Sequence, residues 1–168
     1  VASRDDVWAI GECGLDKVQG EPHPLQMEVQ MAAFRAQIAI AEEVQKPMVI
    51  HCVRAFDELL MLRRELEASC KREDREPQPW VIHGFRGKPE QAKQMMTKGF
   101  FLSFGHHCNI ETLRWVFTSS RPFYLETDDL HLSVCQIYEQ AAHHLGVDVS
   151  RLVHLCDPRK TLFSHQNP

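Results

Sequence analysis

The sequence lacks the segments that would tie the chain to a membrane. Its apolar runs are short and interrupted by charged or polar residues, whereas a membrane-spanning helix needs about 18 or more consecutive apolar residues. The residues after Val1 also lack the charged-then-apolar pattern of a secretory leader. The sequence therefore predicts a protein that does not insert into a membrane.

Motifs of several common enzyme classes are missing as well. There is no GxGxxG or GxxxxGK[ST] phosphate loop and no GxSxG nucleophile elbow. The sequence therefore does not support a nucleotide-binding fold or a serine hydrolase. The six cysteines never form a CxxC pair, and a chain of 168 residues can build a core without disulfides. We expect reduced cysteines, which are typical of a cytoplasmic protein.

Neither sign of charge dominates the composition. The 19 Lys and Arg residues stand against 23 Asp and Glu residues, which gives a net charge of −4 before any histidine is counted. A nucleic acid would therefore have to be held by a local site, because the overall field does not attract it. The 43% of apolar and 25% of charged residues are values of an ordinary globular protein.

Short apolar runs rich in strand-forming residues alternate along the chain with segments of helical spacing. We expect strands at residues 7–10, 48–50, 80–82, 100–102 and 123–125. Alternation of strand and helix is typical of a parallel sheet with crossover helices. Because no linker or low-complexity segment divides the chain, we expect one α/β domain over residues 1–168.

The helices predicted between these runs have apolar stripes and end signals. Pro24 opens the first helix, whose stripe consists of Leu25, Val29, Ala32, Ala33, Ala36 and Ile40. The stripe of the second helix consists of Phe56, Leu59, Leu60, Leu62 and Leu66. Pro89 and Gly99 bound the third helix, and Gly146 closes the last one, which starts at Leu132.

Side chains that bind metals come right after four of the five predicted strands. They are Glu12, His51, His83 and Asp128. The carboxyl ends of parallel strands share one face, where active sites are built, and imidazoles with carboxylates suit zinc, manganese or a similar ion. Taken singly, each residue has a structural interpretation, as a hydrogen-bonded histidine or a carboxylate that caps a helix. The four together favour a metal centre, which would be hydrolytic if a carboxylate bridges two ions or polarises a water.

The other histidines and two of the cysteines are weaker candidates for site residues. His106 and His107 follow the fourth predicted strand, where one of them could face the same site, although a loop pair is the expected role. Cys13 and Cys52 stand beside Glu12 and His51, and we expect them to pack there and not to act as nucleophiles. We expect surface or structural roles for His23, His131, His143, His144, His154 and His165.

Four motifs occur in the order known from one enzyme family. They are GECGLD at 11–16, PMVIH at 47–51, HGFRG at 83–87 and ETD at 126–128. In this order they resemble the GExGLD, PxxIH, HxFxG and ETD signatures of TatD-like metal-dependent hydrolases, the TatD deoxyribonuclease family of the amidohydrolase superfamily. Members of that family are TIM barrels that hold two divalent metals and cleave DNA.

The resemblance implies a role for each site residue. Glu12 would bridge the two metals, His51 and His83 would hold one of them, and Asp128 would bind the other and act as base toward the attacking water. The implied function is a metal-dependent phosphodiesterase, a deoxyribonuclease with DNA as substrate, which uses one or two Zn, Mn or Mg ions per chain. Arg86 could contact a phosphate or face solvent.

The family's first strand carries an HxH metal-ligand pair, and residues 1–10 contain no histidine. By this comparison the chain corresponds to about five of the eight βα units, an incomplete (β/α) TIM-barrel-like fold. An open sheet exposes strand edges, so a homo-oligomer that covers them is expected. Two alternatives stay open. One is a degenerate TatD-like domain with one or no metal that acts as a binding or structural module, and the other is an unrelated doubly wound α/β domain.

Overall fold

The structure is a computed structural model of the chain that describes residues 1–17, 26–128 and 131–163. These residues form two compact units, Val1–Trp80 and Val81–Pro168. Strands and helices alternate through both units, as the sequence predicts. Within the described ranges, no helix combines the length and apolarity that crossing a membrane requires.

The first unit contains two parallel strands, each followed by a helix. In chain order these elements are β1 (Ile10–Asp16), α1 (Met27–Glu43), β2 (Met48–Val53) and α2 (Phe56–Arg72). β1 pairs with β2 so that Gly14 lies opposite His51, and the register shifts between Ile10 and Cys13. Irregularities of this kind change the direction in which a strand presents its side chains, and Glu12 lies at this one.

The first strand lies later in the chain than the sequence pattern predicts. Residues 7–9 are not in a strand, and the side chain of Trp8 is 52% exposed. β1 instead runs through the GECGLD motif, where Cys13 and Leu15 alternate into the core. Glu12 therefore lies within a strand, not after one, because the inward-facing positions of the motif extend the strand past Ile10.

Helix α1 buries a different face from the predicted stripe. Phe34, Ile38 and Ala41 are buried, whereas Val29 and Ile40 are 49% and 42% exposed. The reason is that alanines contribute little apolar area, so the largest side chain, Phe34, determines which face is buried. Its ring packs against Trp80 with the centroids 5.5 Å apart. The predicted start at Pro24, with Leu25 in the stripe, lies outside the described residues.

Helix α2 buries the predicted leucines together with one arginine. The leucines are Leu59, Leu60, Leu62 and Leu66. Arg63 lies over the Trp80 ring at 5.2 Å and donates a hydrogen bond of 2.9 Å to the carbonyl of Gln78. The ring and the carbonyl give a buried guanidinium the partners that its charge requires.

The second unit continues the alternation. Its elements are β3 (Trp80–Ile82, which starts at the last residue of the first unit), α3 (Pro89–Thr97), β4 (Phe100–Phe104), α4 (Ile110–Thr118), β5 (Tyr124–Leu125), α5 (Val134–Leu145), α6 (Val149–Leu155) and a 3₁₀ helix (Pro158–Lys160). β4 pairs in parallel with β5, with Ser103 opposite Tyr124. Gly99 and Gly146 follow α3 and α5 at φ values of 80° and 66°, so the predicted helix ends are confirmed.

The sequence pattern does not predict the segment after α5, which packs on β5. The hydroxyl of Tyr124 lies 2.7 Å from that of Thr161. Leu162 and Phe163 pack in a small apolar cluster with Val81 and Tyr124. This segment therefore closes one side of the second unit.

Candidate metal centre

In the first unit, one imidazole lies between two carboxylates. The Nδ1 atom of His51 is 3.1 Å from Oε1 of Glu12, and its Nε2 atom is 3.1 Å from Oδ2 of Asp16. The His51 side chain is 35% exposed, and those of Glu12 and Asp16 are 51% and 39% exposed. The predicted ligands Glu12 and His51 are thus neighbours at the surface of this unit.

A close approach of β1 and β2 brings these side chains together. A Cβ atom at Gly14 would lie 1.8 Å from the carbonyl oxygen of His51. Only glycine therefore fits at this point of the strand pair. The second glycine of the GECGLD motif thus has a packing role, because it lets β1 approach the histidine of β2.

The chemistry of this arrangement fits a divalent cation. A neutral imidazole carries one N–H, so only one of its two carboxylate contacts can be a hydrogen bond unless the ring is protonated. Whichever nitrogen is bare faces a carboxylate oxygen at 3.1 Å. A cation shared by that nitrogen and that oxygen would remove the repulsion, and both atoms are ligand types that zinc and manganese accept.

Asp16 has no site role in the sequence-based prediction, although it is the last residue of the GECGLD motif. Its backbone is held by the side-chain amide of Gln30 in α1. The Asp16 N–H donates to Oε1 of Gln30 at 2.8 Å, and Nε2 of Gln30 donates to the Asp16 carbonyl at 2.9 Å. This contact fixes the end of β1 from which the Asp16 carboxylate reaches His51.

In the second unit, His83 follows β3 directly and contacts Glu126, which follows β5. Oε1 of Glu126 lies 3.5 Å from Nδ1 of His83 and accepts a hydrogen bond of 2.5 Å from the N–H of Gly84. Burial alone would raise the pKa of Glu126, but hydrogen bonds from His83, Ser103 and Gly84 outweigh it and lower that pKa. Glu126 is therefore held as a carboxylate.

Asp128 lies two residues beyond Glu126, in the same unit as His83. His83, Glu126 and Asp128 each offer a ligand atom, and these atoms lie within 4.8 Å of one another. Asp128 is exposed and adopts a φ of 52°, a conformation that aspartate tolerates better than most residues. The predicted ligands His83 and Asp128 are thus close together. Glu126 is a third candidate ligand, which the sequence analysis does not predict.

Asp128 and Glu126 line a cleft of about 230 Å³ in this unit, and Arg86, His106 and His107 line it too. The rings of the two histidines meet edge to face with their centroids 4.8 Å apart, and Nδ1 of His106 lies 2.7 Å from Oε1 of Gln140. Both histidines follow β4 and are exposed. The pair therefore faces the same cleft as the predicted site residue Asp128.

The thiols beside the predicted ligands are not poised to react. Burial raises the pKa of Cys13 to about 11 and the pKa of Cys52 to about 12. Neither is a thiolate near neutral pH, and the thiolate is the nucleophilic form. All six cysteines of the chain are free thiols.

Comparisons with known proteins give the family. The family model described as TatD related DNase matches residues 1–133. An uncharacterized metal-dependent hydrolase, YabD of Bacillus subtilis, is 36% identical over 106 residues, which cover 62% of this chain and 37% of YabD. The 3′-5′ ssDNA/RNA exonuclease TatD of Citrobacter koseri is 32% identical over 109 residues, 61% of this chain and 35% of that enzyme. The chain thus matches little more than a third of the length of these curated relatives.

Solved structures share the fold. The structure of YJJV, a TatD homolog from Escherichia coli, superposes with a TM-score of 0.71 at 24% identity and covers 94% of this chain and 64% of that one. A TatD family hydrolase from Entamoeba histolytica gives a TM-score of 0.68 at 19% identity, over 90% of this chain and 61% of that one. These likenesses confirm the predicted TatD-like α/β fold, an incomplete TIM barrel, and exclude the unrelated doubly wound domain. The chain belongs to the TatD related DNase family.

Proposed function

We propose that this chain provides the metal centre of a hydrolase that cleaves phosphodiester bonds in DNA. The observation that carries the proposal is the His51 imidazole, which has a carboxylate oxygen 3.1 Å from each ring nitrogen. A relative named as a 3′-5′ ssDNA/RNA exonuclease supports single-stranded nucleic acid as the substrate class. The alternative of a degenerate domain with one or no metal, acting as a binding or structural module, is not better supported by the family match and the relatives.

We assign the ligand roles according to the family motifs. Glu12, His51 and His83 would hold one divalent cation, and Asp128 would hold a second one together with Glu12. Imidazole and carboxylate donors are compatible with Zn, Mn or Mg, and one or two ions per chain is the expected content. Divalent cations supply two things in such a site: they stabilise negative charge on a phosphodiester and make water more acidic.

The chain's own residues would carry out the remaining steps. Asp128 is the proposed base, which takes a proton from the water that attacks phosphorus. The water oxygen forms a bond to phosphorus while the bond from phosphorus to the leaving sugar oxygen breaks, and that oxygen takes up a proton from solvent. Arg86 lines the same cleft as Asp128 and would contact a phosphate oxygen, for which its planar guanidinium is suited.

We also propose a domain organisation, an oligomeric state and a location for the whole protein. The chain acts as a single domain over residues 1–168, and it associates as a homo-oligomer that covers exposed strand edges. Its reduced cysteines support a cytoplasmic location, because free thiols persist in reducing compartments. Light scattering of the purified chain after size exclusion measures the oligomeric state directly.

The test of the proposed activity compares two substrates and one variant. The chain is loaded with Mn²⁺ or Zn²⁺ and incubated with a 5′-labelled single-stranded oligodeoxynucleotide or with bis(p-nitrophenyl) phosphate. We expect cleavage of both, no cleavage in EDTA, and a rate at least about a hundredfold lower for Asp128→Asn, since general bases contribute roughly 10²–10⁴-fold. Equal rates for the parent chain and Asp128→Asn would contradict the role given to Asp128.

A further inference from the structure

We infer that Asp16 is the positioning residue of this site, which fixes the tautomer and the ring orientation of His51. The inference rests on the proposed function in one respect, namely that His51 binds a cation. Asp16 lies on the opposite edge of the imidazole from Glu12, because it contacts Nε2 whereas Glu12 contacts Nδ1. The two carboxylates thus contact different nitrogens of the ring.

The proton of the neutral His51 ring can be on Nδ1 or on Nε2. A carboxylate 3.1 Å from Nε2 accepts a hydrogen bond when the proton is on that nitrogen. The proton on Nε2 leaves the lone pair of Nδ1 facing Oε1 of Glu12. Histidines that bind metals commonly donate their other ring N–H to a carboxylate in this way, which fixes the ring and increases its basicity.

Hydrogen bonds to its backbone hold Asp16 in place. Gln30 makes two hydrogen bonds to the Asp16 backbone, of 2.8 and 2.9 Å, as a neighbouring strand would. The next residue is anchored as well, because the Lys17 N–H donates to the Val53 carbonyl at 2.9 Å. The Asp16 carboxylate therefore extends from a backbone that is fixed on both sides.

Lys17, the residue after Asp16, is paired with another carboxylate. The nearest cation in sequence, Lys17, makes an ion pair of 2.6 Å with Glu58 in α2. The charge of Lys17 is thus directed toward Glu58, and the Asp16 carboxylate keeps its contact with the imidazole. Through this contact Asp16 makes the Nδ1 lone pair of His51 a better cation ligand.

The experiment measures the tautomer of His51 in the metal-free chain by two-dimensional ¹H–¹⁵N NMR at pH 8, with His51→Gln to assign the signal. We expect a single tautomer with the proton on Nε2 in the parent chain and a mixture in Asp16→Ala. Asp5→Ala, which removes an exposed acid of the same unit, is the matched control and should leave the tautomer unchanged. The same tautomer in the parent chain and in Asp16→Ala would overturn the inference.

Titration with Zn²⁺ or Mn²⁺ adds a second readout. Asp16→Ala should lower the affinity for the cation about 10- to 100-fold without changing the number of ions per chain. This is the usual effect of removing a carboxylate that hydrogen-bonds to a metal-binding histidine. Unchanged affinity would overturn the inference. If circular dichroism shows that Asp16→Ala does not fold, Gln30→Ala decides the question, because it releases the Asp16 backbone and should also mix the tautomers. A parent chain that binds no cation would refute the proposed function, while the NMR result would still decide the role of Asp16.

Discussion

Glu126 holds His83 in the second unit much as Asp16 holds His51 in the first, with Oε1 of Glu126 3.5 Å from Nδ1 of His83. The same oxygen accepts the N–H of Gly84 at 2.5 Å. One carboxylate thus fixes both the ring of a predicted ligand and the backbone that follows it. The side chains of His83 and Glu126 are only 12% and 20% exposed, so water competes little for these contacts.

Glu126→Gln tests this relationship. The amide oxygen can still accept the N–H of Gly84, so the fold should persist, but the negative charge beside His83 is lost. We expect the affinity for Zn²⁺ or Mn²⁺ to fall at least about tenfold, as measured by isothermal titration calorimetry. Glu139→Gln, an exposed position on α5, is the control. Parental affinity in Glu126→Gln would show that Glu126 serves only the backbone of Gly84.

Gly14→Ala tests the close approach of β1 to β2. The added methyl group would lie 1.8 Å from the carbonyl oxygen of His51, so one of the strands must move. We expect the free energy of unfolding to fall by about 1–3 kcal/mol, as measured by urea denaturation. Gly105→Ala is the matched control, because its methyl group would approach other atoms no closer than 3.6 Å. Equal stability of the two variants would contradict this account of the strand pair.

His107→Ala tests whether the histidine pair of the cleft contacts nucleic acid. Imidazole rings stack on unpaired bases, and each stacked base contributes about 1–3 kcal/mol. We therefore expect a labelled single-stranded oligonucleotide to bind at least about fivefold more weakly, measured by fluorescence anisotropy in EDTA so that no cleavage occurs. His143→Ala, on the exposed side of α5, should bind as the parent chain does. A loss of affinity that is the same in both variants would point to a nonspecific charge effect.

The pKa values of two tyrosines determine part of the dependence of the free energy of unfolding on alkaline pH. Burial raises the pKa of Tyr124 to about 12, and the same cause raises the pKa of Tyr138 to about 12, against about 10 in an unfolded chain. The folded state therefore binds these protons more tightly. Its stabilisation is complete below pH 10 and is lost as the pH rises through 12.

Urea denaturation between pH 8 and 12 measures this effect. We expect the free energy of unfolding to fall from about pH 9, where the thiols of Cys13 and Cys52 begin to lose protons in the unfolded chain, and more steeply above pH 10, with tyrosinate absorbance in the native chain delayed toward pH 12. Tyr124→Phe should remove about half of the tyrosine contribution, because both phenols have a pKa of about 12 in the folded chain. An absorbance midpoint near pH 10 in the folded chain would contradict the burial of both phenols.

The sequence predicts most of the fold and the candidate metal ligands of the site. Alternating strands and helices, the helix ends at Gly99 and Gly146, and the candidate ligands Glu12, His51, His83 and Asp128 follow from local patterns. These features depend on periodicity and on the residues next to short apolar runs, which a single sequence displays, although Glu12 and His51 lie within β1 and β2.

The carboxylates that contact the candidate histidine ligands, Asp16 and Glu126, do not follow from local patterns. Asp16 reaches His51 because of the strand register and the shift between Ile10 and Cys13. Glu126 reaches His83 across 43 positions of sequence. Such contacts depend on the tertiary arrangement, as does the face that α1 buries. The GLD and ETD motifs contain both residues, but nothing in the motifs themselves assigns a partner to either one.

The proposed metal centre requires that this chain binds divalent metal through Glu12. Elemental analysis of the purified chain after loading with Zn²⁺ or Mn²⁺, beside Glu12→Ala treated in the same way, tests it directly. We expect one or two ions per parent chain and their loss in Glu12→Ala. A parent chain without bound metal, or a Glu12→Ala chain that binds as much as the parent, would contradict it.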